Sequence, residues 1–426
     1  MSSDKNSDIS QRDQQVRRRK IFYLPGYDPF HPRRYRELYR KESALQAAIC
    51  GYDISLKAAQ GKGPYGWHVD AMIDGVEVEA EFEVLVWSDI VKDTMTQNIP
   101  RTYLMLARTA WTYIGSGAFW SLLKTRKGPI IAALYPIFML TLQLLVALFC
   151  GAGIFVLITA LVDLLLQDVL ILSNWHFVKI AIVFAVAVLS VGLILRWFRK
   201  IDKKLFAYYL MHDYSWSARH HGASPPELEA KVAEFQSRVR AALNEGYDEV
   251  LVIGHSSGAH IGVSVLADLL RVEAVPDGNP TLSFLTLGQV VPMVSFLKNA
   301  TRLRADLAFM SAQKLVPWVD VSAPGDGCAF ALCDPVCVTG VAPKDKHWPL
   351  VFSAAFTQSL TPARWKELRW RFFRLHFQYL CAFDAPKDYD YFQITAGPVT
   401  LWDRYRGRPA SKSRLETPLS RYRSMK

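Results

Sequence analysis

Several features that are common in secreted and metal-binding proteins are missing from this 426-residue sequence. The first twenty residues are polar and charged and contain no apolar segment of a cleavable signal peptide. Cysteine is scarce, with six in the chain, and the spacing of Cys328, Cys333 and Cys337 matches no common zinc site. We therefore expect no disulfide framework, no metal and no other cofactor.

Acidic residues are fewer than basic ones: 39 aspartates and glutamates against 50 lysines and arginines give a formal net charge of +11. The basic residues are clustered, and two of the clusters flank long apolar runs. Neither zinc-finger spacing nor the aromatic signature of an RNA-binding module accompanies them. The pattern excludes nucleic acid as the favoured partner and indicates the anionic headgroups of a lipid bilayer.

Charge is almost absent from two internal stretches, residues 129–166 and 177–198. A helix needs about 20 apolar residues to cross a bilayer, so each stretch is long enough for one span. The alternative is a buried helical hairpin within a soluble core. The basic clusters before and after the pair predict that both outer ends, both termini and the catalytic domain are cytoplasmic. The localisation expected is an integral protein of the cytoplasmic (inner) membrane with two spans.

A short apolar run, residues 250–253, leads into the sequence Gly254-His255-Ser256-Ser257-Gly258, after which an apolar helical pattern begins. This order predicts a strand, a sharp turn and a helix, with Ser256 at the apex. The backbone of such a turn is strained, and the strand and helix pass so close that only small residues fit at 254 and 258. The turn presents a serine hydroxyl at the carboxyl edge of a sheet, as a nucleophile requires.

This elbow resembles that of the α/β-hydrolase superfamily, which often reads Gly-His-Ser-x-Gly. The alternation of strand and helix patterns also favours a mostly parallel sheet with helices on both faces. The resemblance implies an α/β-hydrolase fold with the apolar hairpin inserted between the strand near Val84 and the strand near Val250. The expected divisions are a disordered basic tail (1–19), the first part of the hydrolase domain (20–128), the transmembrane hairpin (129–198), the second part with the elbow (199–400) and a basic C-terminal tail (401–426).

A serine nucleophile needs a histidine base and an acid that orients the histidine. The resemblance implies that the acid and then the histidine follow the serine in the chain. Asp326 lies in a Pro-Gly loop after a predicted strand and is the favoured acid, while Asp320 within that strand is the alternative. His376 follows the last apolar strand and is the favoured base. His347 precedes that strand and is the other candidate.

Two backbone N–H groups are expected to bind the oxyanion. One is that of Ser257, directly after the nucleophile. The resemblance places the second in the loop after an early strand, here Pro25-Gly26-Tyr27, and we expect the N–H of Tyr27. This loop departs from the superfamily pattern, since Pro25 stands where a histidine is usual.

Together these features predict a membrane-anchored serine hydrolase that cleaves carboxylic esters, of lipids or other acyl compounds, through an acyl-enzyme on Ser256. Its partners are the bilayer and a small ester or lipid substrate, and its oligomeric state is open. One alternative is an acyltransferase that uses the same triad. Another is a non-catalytic membrane scaffold that has kept a hydrolase fold.

Overall fold

A computed structural model describes residues 15–59, 63–87, 89–90, 98–165, 175–272 and 280–426. The chain divides into two compact units, one formed by residues 1–93, 113–130 and 220–426 and the other by residues 94–112 and 131–219. The polar link expected between the two apolar runs, residues 167–174, lies outside the described residues.

The first unit is organised by a mostly parallel sheet. Within the described residues its eight strands are β1 (Arg18–Leu24), β2 (Asp53–Ala58), β3 (Gly66–Ile73), β4 (Val76–Val84), β5 (Glu249–His255), β6 (Thr281–Leu287), β7 (Trp318–Ser322) and β8 (Leu350–Ser353). Their order across the sheet is β2-β3-β4-β1-β5-β6-β7-β8. Strands β2, β3 and β4 pair antiparallel at one edge, and all other neighbours pair in parallel.

The helices lie between and after these strands. In chain order they are α1 (Arg33–Cys50), α2 (Ile99–Gly115), α3 (Ala118–Leu122), α4 (Lys127–Leu165), α5 (Trp175–Lys200), α6 (Asp202–Leu205), α7 (Ala207–Arg219), α8 (Pro226–Ala242), α9 (Gly258–Val272), α10 (Val291–Ser295), α11 (Thr301–Ser311), α12 (Pro335–Thr339), α13 (Phe356–Ser359), α14 (Pro362–Leu368), α15 (Phe372–His376), α16 (Tyr391–Ala396) and α17 (Leu401–Tyr405). The two apolar helices are therefore inserted between β4 and β5, as the sequence predicts.

Helices cover both faces of the sheet. Side chains alternate between the faces along a strand, and Ile21, Leu251 and Leu285 share one buried cluster with Tyr39 of α1. On the opposite face, α9 approaches so closely that a Cβ added to Gly262 would lie 2.8 Å from the ring of Phe284. The expected α/β architecture with a mostly parallel sheet is thus present.

The β3–β4 hairpin turns at Asp74 and Gly75. Both have positive φ, 53° and 77°, the combination that two-residue hairpin turns require and that Asp-Gly adopts readily. Strand β2 was not predicted. It is a short edge strand with no fully buried side chain, although Ile54 and Leu56 alternate with polar residues and pack against the core.

The disordered tail expected over residues 1–19 extends too far along the chain, and the basic tail expected over residues 401–426 begins with a helix. Arg18 and Arg19 belong to β1, and the guanidinium of Arg19 is fully buried against Glu249, at 2.6 Å. At the C-terminus, residues 401–405 form α17, the N–H of Leu419 donates to Val338, and Arg304 donates to the carbonyl of Ser424. Charged residues are engaged in buried hydrogen bonds here, so polar composition did not mean disorder.

The second unit contains the apolar helices. Helices α4 and α5 are long and apolar enough to cross a membrane. Helix α4 runs without a break through Gly151, where an added Cβ would lie 2.6 Å from Val191 of α5. Asp163 of α4 forms an ion pair with Lys179 of α5, so these two charges neutralise each other within the hairpin.

Candidate active site

The serine turn after β5 has the strained geometry that the sequence predicts. Ser256 has φ 56°, the left-handed conformation that non-glycine residues seldom adopt. Its N–H donates to the carbonyl of Leu287 at the end of β6, at 2.9 Å. Helix α9 begins two residues later, at Gly258. The backbone of the neighbouring strand therefore holds Ser256 at the carboxyl edge of the sheet.

Three glycines make this turn possible. A Cβ added to Gly254 would lie 2.6 Å from Ala259 of α9, and one added to Gly258 would lie 2.1 Å from the carbonyl oxygen of Leu24. A Cβ on Gly26 would lie 2.9 Å from Cβ of Ser256. No side chain fits at such distances without movement of the backbone. The loop after β1 thus lies directly against the serine turn.

Asp326 and His376 form a buried pair. His376 Nδ1 lies 2.7 Å from Asp326 Oδ2, and both residues are almost completely shielded from solvent. The N–H of Cys328 donates to the other carboxylate oxygen at 2.9 Å, and the hydroxyl of Tyr379 donates to Oδ2 at 3.0 Å. These bonds fix the carboxylate, which in turn orients the imidazole.

The structure brings the Asp326–His376 pair close to Ser256, but Ser256 makes no hydrogen bond to His376 Nε2. The His376 ring stacks on that of His255, the residue before the serine, with centroids 4.8 Å apart. A Cβ added to Gly288, next to the carbonyl that binds the Ser256 N–H, would lie 3.1 Å from Cε1 of His376. His376 Nε2 is buried and has no hydrogen-bond partner among the described residues. That nitrogen remains available to accept a proton.

His255 has both ring nitrogens engaged. Nε2 lies 3.1 Å from the backbone carbonyl of His376, and Nδ1 lies 3.2 Å from the hydroxyl of Tyr23. Since a carbonyl only accepts, Nε2 carries the proton and Nδ1 accepts from Tyr23. Burial, followed by the proximity of His376, holds the pKa of His255 well below its usual value. The ring is therefore neutral, and it supports the backbone of His376.

The two alternative triad residues lie elsewhere. Asp320 is buried within β7, where Oδ1 accepts from the hydroxyl of Thr286 at 2.6 Å. Burial raises its pKa to about 8, so it is not a carboxylate poised to orient a histidine at neutral pH. His347 is exposed and borders a cavity at the amino ends of β7 and β8. Geometry therefore pairs Asp326, and not Asp320, with His376.

The two expected oxyanion donors belong to the residue after Ser256 and to the loop that packs against it. The N–H of Ser257 makes no hydrogen bond to another described residue, so it is available to a ligand. Tyr27 follows Gly26 in the loop against the serine, and its ring packs edge-on against Trp87, with centroids 6.0 Å apart. The indole of Trp87 donates to the carbonyl of Pro25 at 2.9 Å, which steadies the loop.

Among the described residues, two clusters of side chains are close enough to hold a metal ion: Asp326 with Cys328 and His376, and Asp334 with Cys337 and Glu416. In the first, the hydrogen bonds described above already account for the short distances. In the second, Lys346 Nζ lies 2.9 Å from Asp334. Burial also raises the pKa of Cys337 to about 12, which disfavours the thiolate that a metal binds.

Sequence reasoning missed Tyr379 and Tyr23. Tyr379 is fully buried, and besides donating to Asp326 it accepts from the N–H of Ala323 at 2.9 Å. Burial and the nearby Asp326 raise its pKa well above the usual range, so it remains a donor. No motif marks either tyrosine, and only their place in the fold reveals them.

A cavity of about 360 Å³ opens at the amino ends of β7 and β8, and Trp348, Trp402 and Arg408 are among the residues that line it. Of the triad candidates, only the disfavoured His347 lines it. We place the candidate active site at Ser256 because the strained serine and the Asp326–His376 pair converge there, whereas the cavity has no comparable nucleophile.

Comparisons with protein-family models, with curated proteins and with solved structures found no match to this chain. The interpretation of the site therefore rests on the arrangement of its own residues.

Proposed function

We propose that this protein is a serine hydrolase with an α/β-hydrolase fold that cleaves carboxylic esters through an acyl-enzyme on Ser256. One observation carries the proposal. A serine on a strained turn between strand and helix lies beside a buried histidine whose Nδ1 is bound to a carboxylate and whose Nε2 is free. This is the arrangement by which a weak hydroxyl nucleophile is activated.

In the proposed reaction, Ser256 Oγ attacks the ester carbonyl carbon and His376 Nε2 takes the hydroxyl proton. Asp326 stabilises the resulting imidazolium, and the N–H groups of Ser257 and Tyr27 bind the oxyanion. The carbon–oxygen bond to the leaving group then breaks, and the departing alkoxide takes the proton from His376. The acyl group remains on Ser256.

Deacylation repeats these steps with water. His376 Nε2 removes a proton from a water molecule, whose oxygen attacks the acyl carbon. The second tetrahedral intermediate collapses, Ser256 Oγ recovers the proton from His376, and the carboxylic acid leaves. An unliganded serine and histidine that are near but not bonded are compatible with this cycle, because such contacts often tighten only when substrate binds.

The apolar helices supply the anchor in this proposal. Helix α4 follows Lys124 and Arg126 and begins at Lys127, and α5 ends with Arg199 and Lys200. Basic residues at both outer ends favour a hairpin whose flanks face the cytoplasm. The catalytic unit then lies on the cytoplasmic side, where esters of membrane lipids are available as substrates.

Labelling with a fluorophosphonate probe tests the proposal. The full-length protein in detergent should label, Ser256→Ala should not, and Ser264→Ala, which changes a serine within α9, should label like the wild type. Folded wild-type protein that remains unlabelled, while hydrolysing no model ester, would favour the non-catalytic scaffold.

A further inference from the structure

Residues 369–374, here named the aromatic–basic segment, lie exposed between β8 and His376. The side chain of Trp370 is 72% exposed and that of Phe372 is 45% exposed. Their rings meet edge to face, with centroids 6.4 Å apart. The guanidinium carbon of Arg369 lies 5.6 Å from the centre of the Trp370 ring. Large rings exposed together in this way mark an interaction surface.

The charge of residues 364–374 indicates the kind of partner that this surface binds. Residues 364–374 contain five basic residues and one acid, Glu367. Arg371 and Arg374 both pair with this single carboxylate, at 3.1 Å and 3.0 Å. Arg369 is exposed as well. The segment thus keeps a positive charge beside its aromatic rings, which suits an anionic partner.

The segment also adjoins the first turn of α4. A Cβ added to Gly128 of α4 would lie 3.0 Å from Cα of Gly327, and one added to Gly327 would lie 3.0 Å from the Phe372 ring. Gly327 directly follows Asp326. Three features therefore meet at one glycine within the first unit: the start of the apolar helix, the loop of the acid, and the aromatic–basic segment.

We infer that the aromatic–basic segment binds an anionic lipid surface beside the first turn of α4. Tryptophan rings are favoured at the headgroup level of a bilayer, and arginines near an anionic leaflet add electrostatic attraction. The bilayer is the occupant because only Gly327 separates the segment from the point where the chain enters an apolar helix. The inference requires that α4 crosses a membrane, as proposed above, but it does not require ester hydrolysis.

If Ser256 is a nucleophile, the lipid-facing segment also indicates the class of substrate; this step rests on the proposed function. Phe372 begins α15 and His376 ends it, so one short helix carries both the lipid-facing ring and the base. The substrate is then an acyl ester whose chains stay in the leaflet while its carbonyl reaches Ser256. A water-soluble ester would gain nothing from this surface.

Hydrogen–deuterium exchange of the full-length protein in lipid nanodiscs tests the surface itself. Amides of residues 365–376 should exchange at least about threefold more slowly in discs that contain phosphatidylglycerol than in discs of phosphatidylcholine alone, because the attraction is electrostatic. The double variant Arg369→Gln/Trp370→Ser should lose this difference. Leu315→Ser removes another exposed apolar side chain, ahead of β7, and should keep the difference. Equal exchange of the wild type in both lipids and in detergent would overturn the inference.

Rates on two esters separate this inference from the proposed function. The double variant should cleave an ester embedded in vesicles about tenfold more slowly than the wild type, as expected for the loss of one interfacial charge and one anchor ring, and a short soluble ester at an unchanged rate. If the double variant cleaved both esters at the wild-type rates, the substrate class would be overturned but the proposed hydrolase activity would stand. Lipid-dependent protection in a protein that never labels at Ser256 would support the surface and overturn the hydrolase.

Discussion

The His255 ring donates from Nε2 to the backbone carbonyl of His376, at 3.1 Å, and stacks on the His376 imidazole. The residue before the candidate nucleophile thus supports the candidate base. Because burial keeps His255 neutral, it acts as a positioning residue and does not itself exchange protons near neutral pH.

Replacing His255 by phenylalanine should lower kcat for ester hydrolysis about 10- to 100-fold while KM changes little. The variant keeps a ring of similar size but loses the donor to His376, and misplacement of a base by fractions of an ångström is costly in rate. Steady-state kinetics and the pH profile of kcat/KM measure both effects.

His255→Gln is the matched control for that variant, since its amide is able to donate to the same carbonyl. It should recover much of the lost rate. If His255→Phe and His255→Gln lose the same activity, or if neither loses any, His255 has only a packing role.

Gly26→Ala should abolish fluorophosphonate labelling in a protein that remains folded. The added methyl carbon would lie 2.9 Å from Cβ and 3.3 Å from Oγ of Ser256, so it would block the hydroxyl and displace the adjoining loop. Gel fluorescence after labelling, together with a thermal melt, measures the two outcomes separately.

Gly63→Ala serves as the comparison, because a Cβ at Gly63 meets nothing within 4 Å. It should label like the wild type. Normal labelling of Gly26→Ala would mean that the loop after β1 does not bound the nucleophile.

Tyr379→Phe should reduce both stability and activity. It removes a donor to Asp326 and leaves the buried N–H of Ala323 without its acceptor, a loss worth about 1–3 kcal/mol of unfolding free energy. We expect kcat to fall by less than it does for Asp326→Asn, where about 10⁴-fold is typical of a lost triad acid. Chemical denaturation and ester kinetics on both variants check this order.

Asp320 should make the folded protein less stable as the pH rises. Burial raises its pKa to about 8, so the folded protein keeps the carboxyl protonated where the unfolded chain has ionised. Its stabilising contribution is full below about pH 4 and is lost as the pH rises towards about 8.

Asp320→Asn resembles the protonated acid and should remove this dependence. The wild type should lose stability between about pH 5 and about pH 8, and the variant should lose less. Thermal melts of both proteins across that range measure the difference. Parallel curves would show that Asp320 is ionised, or solvated, in the folded state.

The serine turn was predictable because its constraints are local. Three small residues and one serine, flanked by a buried strand and a helix, determine a strained backbone within a few positions of sequence. The Asp326–His376 contact was reached through the chain order that the resemblance implies. The structure shows the contact, while the catalytic role of either residue stays a prediction.

Contacts between residues that are distant in the chain could not be predicted from the sequence. Nothing near His255 indicates that it contacts the backbone 121 positions away, and Tyr379 reaches Asp326 only because the loops after β7 and β8 meet. The extent of the N-terminal tail was mispredicted for a related reason. Arg19 looks like a solvated charge in the sequence, but its guanidinium binds Glu249 and two carbonyls from the other end of the chain.

The place of α4 and α5 between β4 and β5 has a consequence for biosynthesis. Strand β1 needs β5 as its neighbour, yet β5 leaves the ribosome only after both apolar helices have emerged. The nascent chain therefore carries an incomplete sheet while both apolar helices are being synthesised. The serine turn can close against Gly26 only afterwards, so two neighbouring parts of the candidate site are separated during synthesis by the whole apolar hairpin.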